Sequence, residues 1–356
     1  MNCHIVIACR AEGTLELHRF SNGILERLEV MHGFDGVNCL AYDASGHRLY
    51  ASQTGEVSRV SVFNVFPGGD IEVAGSFDLP HQTAYISVAG EGLWSASYHG
   101  GNIAFVPLTP DGLPAGPAQV DSFGENSHCI VTASDGRHTY ATSLRADKIA
   151  AYSVEDSQLR RRSVASVPPL GSGPRHLAFA GDSTLFALTE MSGEVIEFRR
   201  DLESGELTEV SRASIVPPSA GLTQGVARYS GGPEVPERPI WAADIQVAGE
   251  LVFATERTTS TVTVLERSEG TVPGLEVVDY VSTEARPRAS ALSPDGEFYF
   301  VGGETSEHVS VYRVAHQVGA VQGGNAAAAN AQKTSPLHLV CRIKTGENPA
   351  WFAFLP

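Results

Sequence analysis

One pattern recurs along this chain and limits its fold more than any other feature. Strand-like starts appear at "VNCLAYDASGHRLYASQ" (from Val37), "AYISVAGEGLWSASYH" (from Ala84), "HCIVTASDGRHTYATS" (from His128), "RHLAFAGDSTLFALTE" (from Arg175), "WAADIQVAGELVFATER" (from Trp241) and "RASALSPDGEFYFVGGE" (from Arg288). Most of these starts lie about 45 residues apart. Each holds two apolar runs around a polar turn. A third run follows, such as "KIAAYSV" (148–154) or "TVTVLER" (261–267), and then a fourth, such as "RRSVASV" (161–167) or "LEVVDYV" (275–281). The runs are rich in Val, Ile, Phe and Tyr and are bounded by Gly, Asp and Pro, while helical periodicity is nearly absent. Four strands per repeat at this period predict an all-β fold, a seven-bladed β-propeller with four antiparallel strands in each blade.

Six blades are continuous in the chain. The N-terminal "HIVIACR", "LELHRFS" and "ILERLEV" supply the outer three strands of the remaining blade, and the C-terminal "AWFAFL" supplies its inner strand. That pairing closes the ring and removes a free sheet edge. A single domain over 1–356 is expected, with insertions at 217–239 and 317–335. The first joins two blades at the face where inner strands begin, and its prolines make it a stiff cover for whatever lies there. The second, low in complexity, falls at the far face and is read as mobile and without function.

The bulk properties narrow the class. The chain is 42% hydrophobic and 19% charged, which suits a globular protein with a substantial core. No apolar run is long enough for a membrane span, and "MNCHIVIACRAEG" lacks the charged start and long apolar stretch of a signal peptide, so a cytoplasmic location is expected. The net charge of −16 argues against nucleic acid and anionic membranes as partners. The cysteines Cys3, Cys9, Cys39, Cys129 and Cys341 are scattered without a CxxC, as expected of buried reduced thiols.

In a propeller the first strand of each blade lines a central channel and the chain zigzags outward. The start of the first strand and the end of the second therefore share one face. First-strand starts bring His128, Trp241 and Arg288 to it. Second-strand ends bring Arg10, His99, Arg145, Glu190, Glu256, Arg257 and Glu304. In "GSGPRHLAFAGDSTLFALTEMSG" (171–193), His176 and Glu190 are equidistant from Ser183, so a regular hairpin sets them opposite one another. His128, Arg175, His176, Glu190, Arg257 and Arg288 thus converge from four blades on one channel mouth. Buried ionisable groups are costly unless paired or used. Asp244, in "WAADI", is read as a cap for backbone donors inside the channel.

Several chemistries lack their motifs. There is no GxSxG elbow, P-loop or HExxH, and no acidic cluster resembling a calcium cage. Arginines crowding the mouth argue against a metal, and no cofactor is implied. The WD and GH signatures of WD40 repeats are also missing.

The motifs "YHGGNIAFVPLTPDGLPAG" (98–116), "GSGPRHLAF" (171–179), "IWAADI" (240–245), "ERTTSTVTV" (256–264), "RPRASALSPDG" (286–296) and "TGENPAWF" (345–352) together resemble the seven-bladed propeller lactonases. That family includes bacterial 6-phosphogluconolactonases and fungal carboxymuconate cyclases, and the resemblance covers nearly the whole chain. "PRH" and "RPRAS" look like the 6-phosphogluconolactonase branch, whereas Ile240 stands before the Trp where that branch has an arginine. The resemblance implies acid–base roles for His128 and Glu190, and substrate-carboxylate binding by Arg175 and Arg257. His176 joins these as a candidate proton donor. Arg288, His99, Trp241, Arg145 and Arg10 are candidate substrate-binding residues. The activity implied is hydrolysis of a small anionic sugar-acid lactone, either 6-phosphogluconolactone or a uronic or aldonic acid lactone. Cyclisation of a carboxymuconate and non-catalytic binding of an anion or partner are the alternatives. A monomer or homodimer is expected.

Overall fold

The computed structural model describes residues 2–55, 57–90, 92–268, 274–316 and 335–356. They form seven four-stranded antiparallel sheets, with Pro218–Ala220 the one helical turn among the described residues. Blade 1 consists of Asn2–Cys9, Thr14–Ser21 and Ile24–His32, with Pro349–Leu355 as its inner strand. The inner strands of blades 2 to 7 are Val37–Asp43, Tyr85–Ala89, Ser127–Thr132, Pro174–Ala180, Ala242–Ala248 and Pro287–Leu292. Each touches the next, and Pro349–Leu355 touches both Val37–Asp43 and Pro287–Leu292, so the ring is closed. The expected seven-bladed propeller and its C-terminal closure are what the chain forms. The insertion read at 317–335 lies, but for its last residue, outside the described residues.

Period-two alternation makes one face of each sheet pack on the next blade, and the core sits between blades. Ile149 and Ala151 of blade 4 meet Leu185, Ala187 and Phe198 of blade 5, all buried. Phe20 of blade 1 meets Phe298 and Phe300 of blade 7 edge to face, with ring centroids 4.9 and 5.2 Å apart. Burying one such ring contributes about 1.5–3 kcal/mol. The five cysteines are free thiols.

The inner strands share an irregularity that positions the site. In blade 5, Pro174 pairs with Thr189 and His176 with Leu188, which leaves Arg175 as an extra residue. Arg288 is extra in the same way in blade 7, and Asn38 in blade 2. In blade 4, His128 and Cys129 stand between the pairs Ser127–Ser143 and Ile130–Ala141; in blade 6, Ala243 and Asp244 stand between Ala242–Glu256 and Ile245–Ala254. A β-bulge bends the strand and re-aims the extra side chain. Hydroxyls from second strands satisfy the displaced backbone. Thr142 Oγ1 accepts from Cys129 N (3.0 Å) and donates to Arg175 O of the next blade (2.9 Å), and Thr255 Oγ1 accepts from Asp244 N (2.9 Å).

Candidate active site

The bulges overturn one expectation directly. His176 faces Leu188, and Glu190 lies beyond the end of the ladder, where its N–H donates to Gly173 O at 2.7 Å. The segment before Arg175 is held by a neighbour blade. Buried Asp147 accepts from Gly171 N (2.6 Å) and Gly173 N (2.8 Å), with Gly173 at φ +70°, a conformation that favours glycine.

A cavity of about 630 Å³ opens at the channel mouth. Arg10, His99, His128, Arg175, Glu190, Trp241, Arg257 and Arg288 line it, so eight of the ten residues singled out from the sequence meet there. His176 does not. It lies one residue further along its strand and lines a smaller cavity within the channel, with Asp244 and Ser290. Arg145 sits apart on the rim, paired with Glu125 at 2.8 Å and stacked 3.9 Å from the Tyr229 ring. Sequence reasoning missed Asn38, Tyr98 and Arg228 as lining residues.

Glu190 is the hub. Its Oε2 is 2.7 Å from Arg175 Nε and 2.9 Å from Arg257 Nη2, and its Oε1 accepts from Trp241 Nε1 at 3.0 Å. Burial pushes this carboxyl up, but Arg257 and Arg175 outweigh it and hold the group below its ordinary value, so it is ionised. Burial acts on Arg257 as well and pushes it down to about 9, against the pull of Glu190; it still carries its charge at neutral pH. Glu256 does not pair with Arg257. It is buried, accepting from Trp241 N (2.8 Å) and from Thr259 N (2.6 Å) and Oγ1 (2.7 Å). Glu304 is half-buried, lines the cavity and pairs with Arg286 at 3.2 Å.

The two histidines differ. His176 Nδ1 is 2.7 Å from Asp244 Oδ1, and its Nε2 is 3.1 Å from Arg175 Nη1, which also donates to Ala243 O. Both ring nitrogens are therefore engaged. Asp244 also accepts from Ser290 N (2.7 Å), Ser290 Oγ (2.9 Å) and Ile245 N (2.9 Å), which is the capping role read from the sequence. Burial, and then the charge of Arg175, pushes His176 down to about 4. His128 lies beside it, ring centroids 5.1 Å apart, but its Nδ1 is buried with no hydrogen-bond partner. Burial first, then Arg175, lowers it well below its ordinary value, so it is neutral.

A stability prediction follows from His176. Between pH 6.5 and about 4 the unfolded chain binds a proton here that the fold refuses. The contribution is complete above about pH 6.5 and is lost as pH falls toward 4, on the order of 3 kcal/mol. Urea unfolding at pH 7 and pH 4.5 should show this loss, and His176→Asn should show a smaller one.

The insertion 217–239 forms part of the cavity wall. It is tied down by Gly225 N to Met191 O (2.9 Å), Ile240 N to Thr223 O (2.7 Å) and Tyr98 Oη to Arg228 O (3.1 Å), and Ala227 packs against Leu144 and Met191. These contacts bring the Arg228 guanidinium over the Trp241 ring, 3.6 Å from its centroid.

Known proteins share this organisation. The 6-phosphogluconolactonase of Pectobacterium carotovorum is 26% identical over 306 residues, covering 83% of this chain and 82% of its own. That of Klebsiella pneumoniae is 28% identical over 311 residues, covering 85% and 88%. The structure of the periplasmic gluconolactonase of Pseudomonas aeruginosa superimposes with a TM-score of 0.80 at 20% identity, covering 100% of this chain and 99% of that one, and so shares the fold. No helix among the described residues is long and apolar enough to cross a membrane. The family model described as "Lactonase, 7-bladed beta-propeller" matches residues 6–353. With that match running almost from end to end, the chain belongs to the seven-bladed β-propeller lactonase family and is an enzyme, a lactone hydrolase.

Proposed function

We propose that this enzyme hydrolyses the lactone of a sugar acid that carries a further acidic group, with 6-phosphogluconolactone the first candidate and a uronic or aldonic acid lactone the second. The observation that carries this reading is the ionised Glu190, clamped by Arg175, Arg257 and Trp241, in the same cavity as the neutral imidazole of His128, whose Nδ1 has no partner. A neutral imidazole can take the proton of an attacking water. The guanidinium groups of Arg175 and Arg257 stabilise the negative charge that grows on the carbonyl oxygen. Collapse of the tetrahedral intermediate breaks the ring C–O bond, and His128 returns its proton to the departing oxygen. The product is the open hydroxy acid, and one water is consumed.

His176 is better suited to holding Arg175 than to moving a proton, because both of its ring nitrogens are engaged. The arginines that suppress protonation of His128 are offset when an anionic substrate binds, which makes the imidazole a stronger base in the complex. A cytoplasmic location belongs to the same proposal, although the Pseudomonas aeruginosa neighbour is a periplasmic protein by name. A pH-indicator screen of 6-phosphogluconolactone, glucono-δ-lactone, uronic and aldaric lactones and a carboxymuconate tests the reading. Fastest turnover is expected with 6-phosphogluconolactone. Consumption of the carboxymuconate with no lactone hydrolysed would overturn it in favour of cycloisomerisation.

A further inference from the structure

The arginines lining the cavity fall into two groups. Arg175 and Arg257 are engaged: both pair with Glu190, Arg175 Nη1 donates to Ala243 O, and Arg257 Nε and Nη2 donate to Trp241 O (3.0 Å) and Ala242 O (3.1 Å). Arg10, Arg228 and Arg288 also line the cavity, from blade 1, the 217–239 loop and blade 7. Among the described residues none of these three side chains has a carboxylate partner or a hydrogen-bond acceptor. The cavity's carboxylates are Glu190 and Glu304, and both are already taken by other arginines.

In a chain of net charge −16, three unpartnered guanidinium groups facing one cavity are a built excess of positive charge. The excess is costly in the free enzyme. Burial, and then the nearby charges of Arg175 and Arg10, pushes Arg288 down to about 10. An incoming anion removes that cost.

We propose that Arg10, Arg228 and Arg288 form the subsite for the substrate's distal acid group, and that Arg228, carried by the inter-blade loop, is a specificity-determining residue. This rests on the lactone reading for its substrate. The engaged pair Arg175–Arg257 is then left to the reacting carbonyl. A lone carboxylate is matched by one guanidinium fork, whereas three guanidinium groups suit the three oxygens and double charge of a phosphate monoester. Arg228 is positioned by backbone contacts of its loop and by the Trp241 ring, so its exposed guanidinium is held in place before any ligand arrives.

Steady-state kinetics of the full-length enzyme and of Arg228→Gln and Arg10→Gln, with 6-phosphogluconolactone and glucono-δ-lactone, provide the test. Each variant should raise KM for the phosphorylated lactone about tenfold or more, while kcat/KM for the neutral lactone falls no more than about threefold. Inhibition by inorganic phosphate should weaken in parallel. Equal losses on both lactones would assign Arg228 a merely structural part and overturn the proposal. Calorimetric titration with 6-phosphogluconate separates the two readings if neither lactone is turned over. Binding that weakens in Arg228→Gln then supports the subsite while the lactone reading fails, and binding that is indifferent to the substitution overturns the subsite.

Discussion

Glu190→Gln is expected to cost activity and stability together. The amide is nearly isosteric and keeps an oxygen for Trp241 Nε1, but it removes the charge that Arg175 and Arg257 share. Two guanidinium groups, each about nineteen-twentieths buried or more, are then left without a counter-charge. Breaking a buried ion pair from one side costs about 3–5 kcal/mol. The arginines should also leave their places, since the carboxylate is what holds both against the backbone carbonyls of blade 6. Misplacement of the groups that receive the carbonyl oxygen should lower kcat/KM roughly a thousandfold. Urea unfolding and lactone hydrolysis on the same preparation check both halves. A variant of wild-type stability and full turnover would remove Glu190 from the site altogether.

His128→Ala should behave differently. A general acid–base group is worth about 10²–10⁴ in rate. Activity should fall by that amount, but stability should hold or rise, because the imidazole buries Nδ1 without a partner and pays desolvation for no bond made. The wild-type pH profile of kcat/KM should have its acid limb below pH 6.5, where burial and the arginines keep the free imidazole unprotonated, and this limb should vanish in the variant. Loss of stability matched to loss of rate would instead make His128 a packing residue.

The contrast between these two residues also marks what could be read in the sequence. The ring, its blade count and its closure were legible because period-two runs and polar turns recur at one interval. The meeting of Arg175, Glu190, Trp241 and Arg257 was legible too, because strand ends of a propeller share a face. The bulges were not. The extra residue at Arg175 slides His176 against Leu188, and nothing in an alternating apolar pattern signals such a slip, since the displaced Arg175 carbonyl is satisfied by a hydroxyl of the neighbouring blade, Thr142 Oγ1. The engagement of both His176 nitrogens depends on that slip. Arg228 was illegible for another reason: the 217–239 loop has no periodicity, and its path is decided by scattered contacts to Met191, Tyr98 and Trp241.

The pairing of Asn2–Cys9 with Pro349–Leu355 has a kinetic consequence. It joins strands far apart in the chain, so blade 1 cannot be completed until Pro349–Leu355 has been made. Until then the first three strands wait with an unpaired edge, and such long-range strand pairing is slow to form. The cavity waits with them. Arg10 N donates to Asn348 O at 2.9 Å, and both residues line the mouth. A nascent or C-terminally clipped chain can therefore hold the whole Glu190 cluster on blades 5 and 6 and still lack one wall of the mouth. The Glu190 cluster thus depends on blades 5 and 6, whereas the complete mouth depends on Pro349–Leu355 as well.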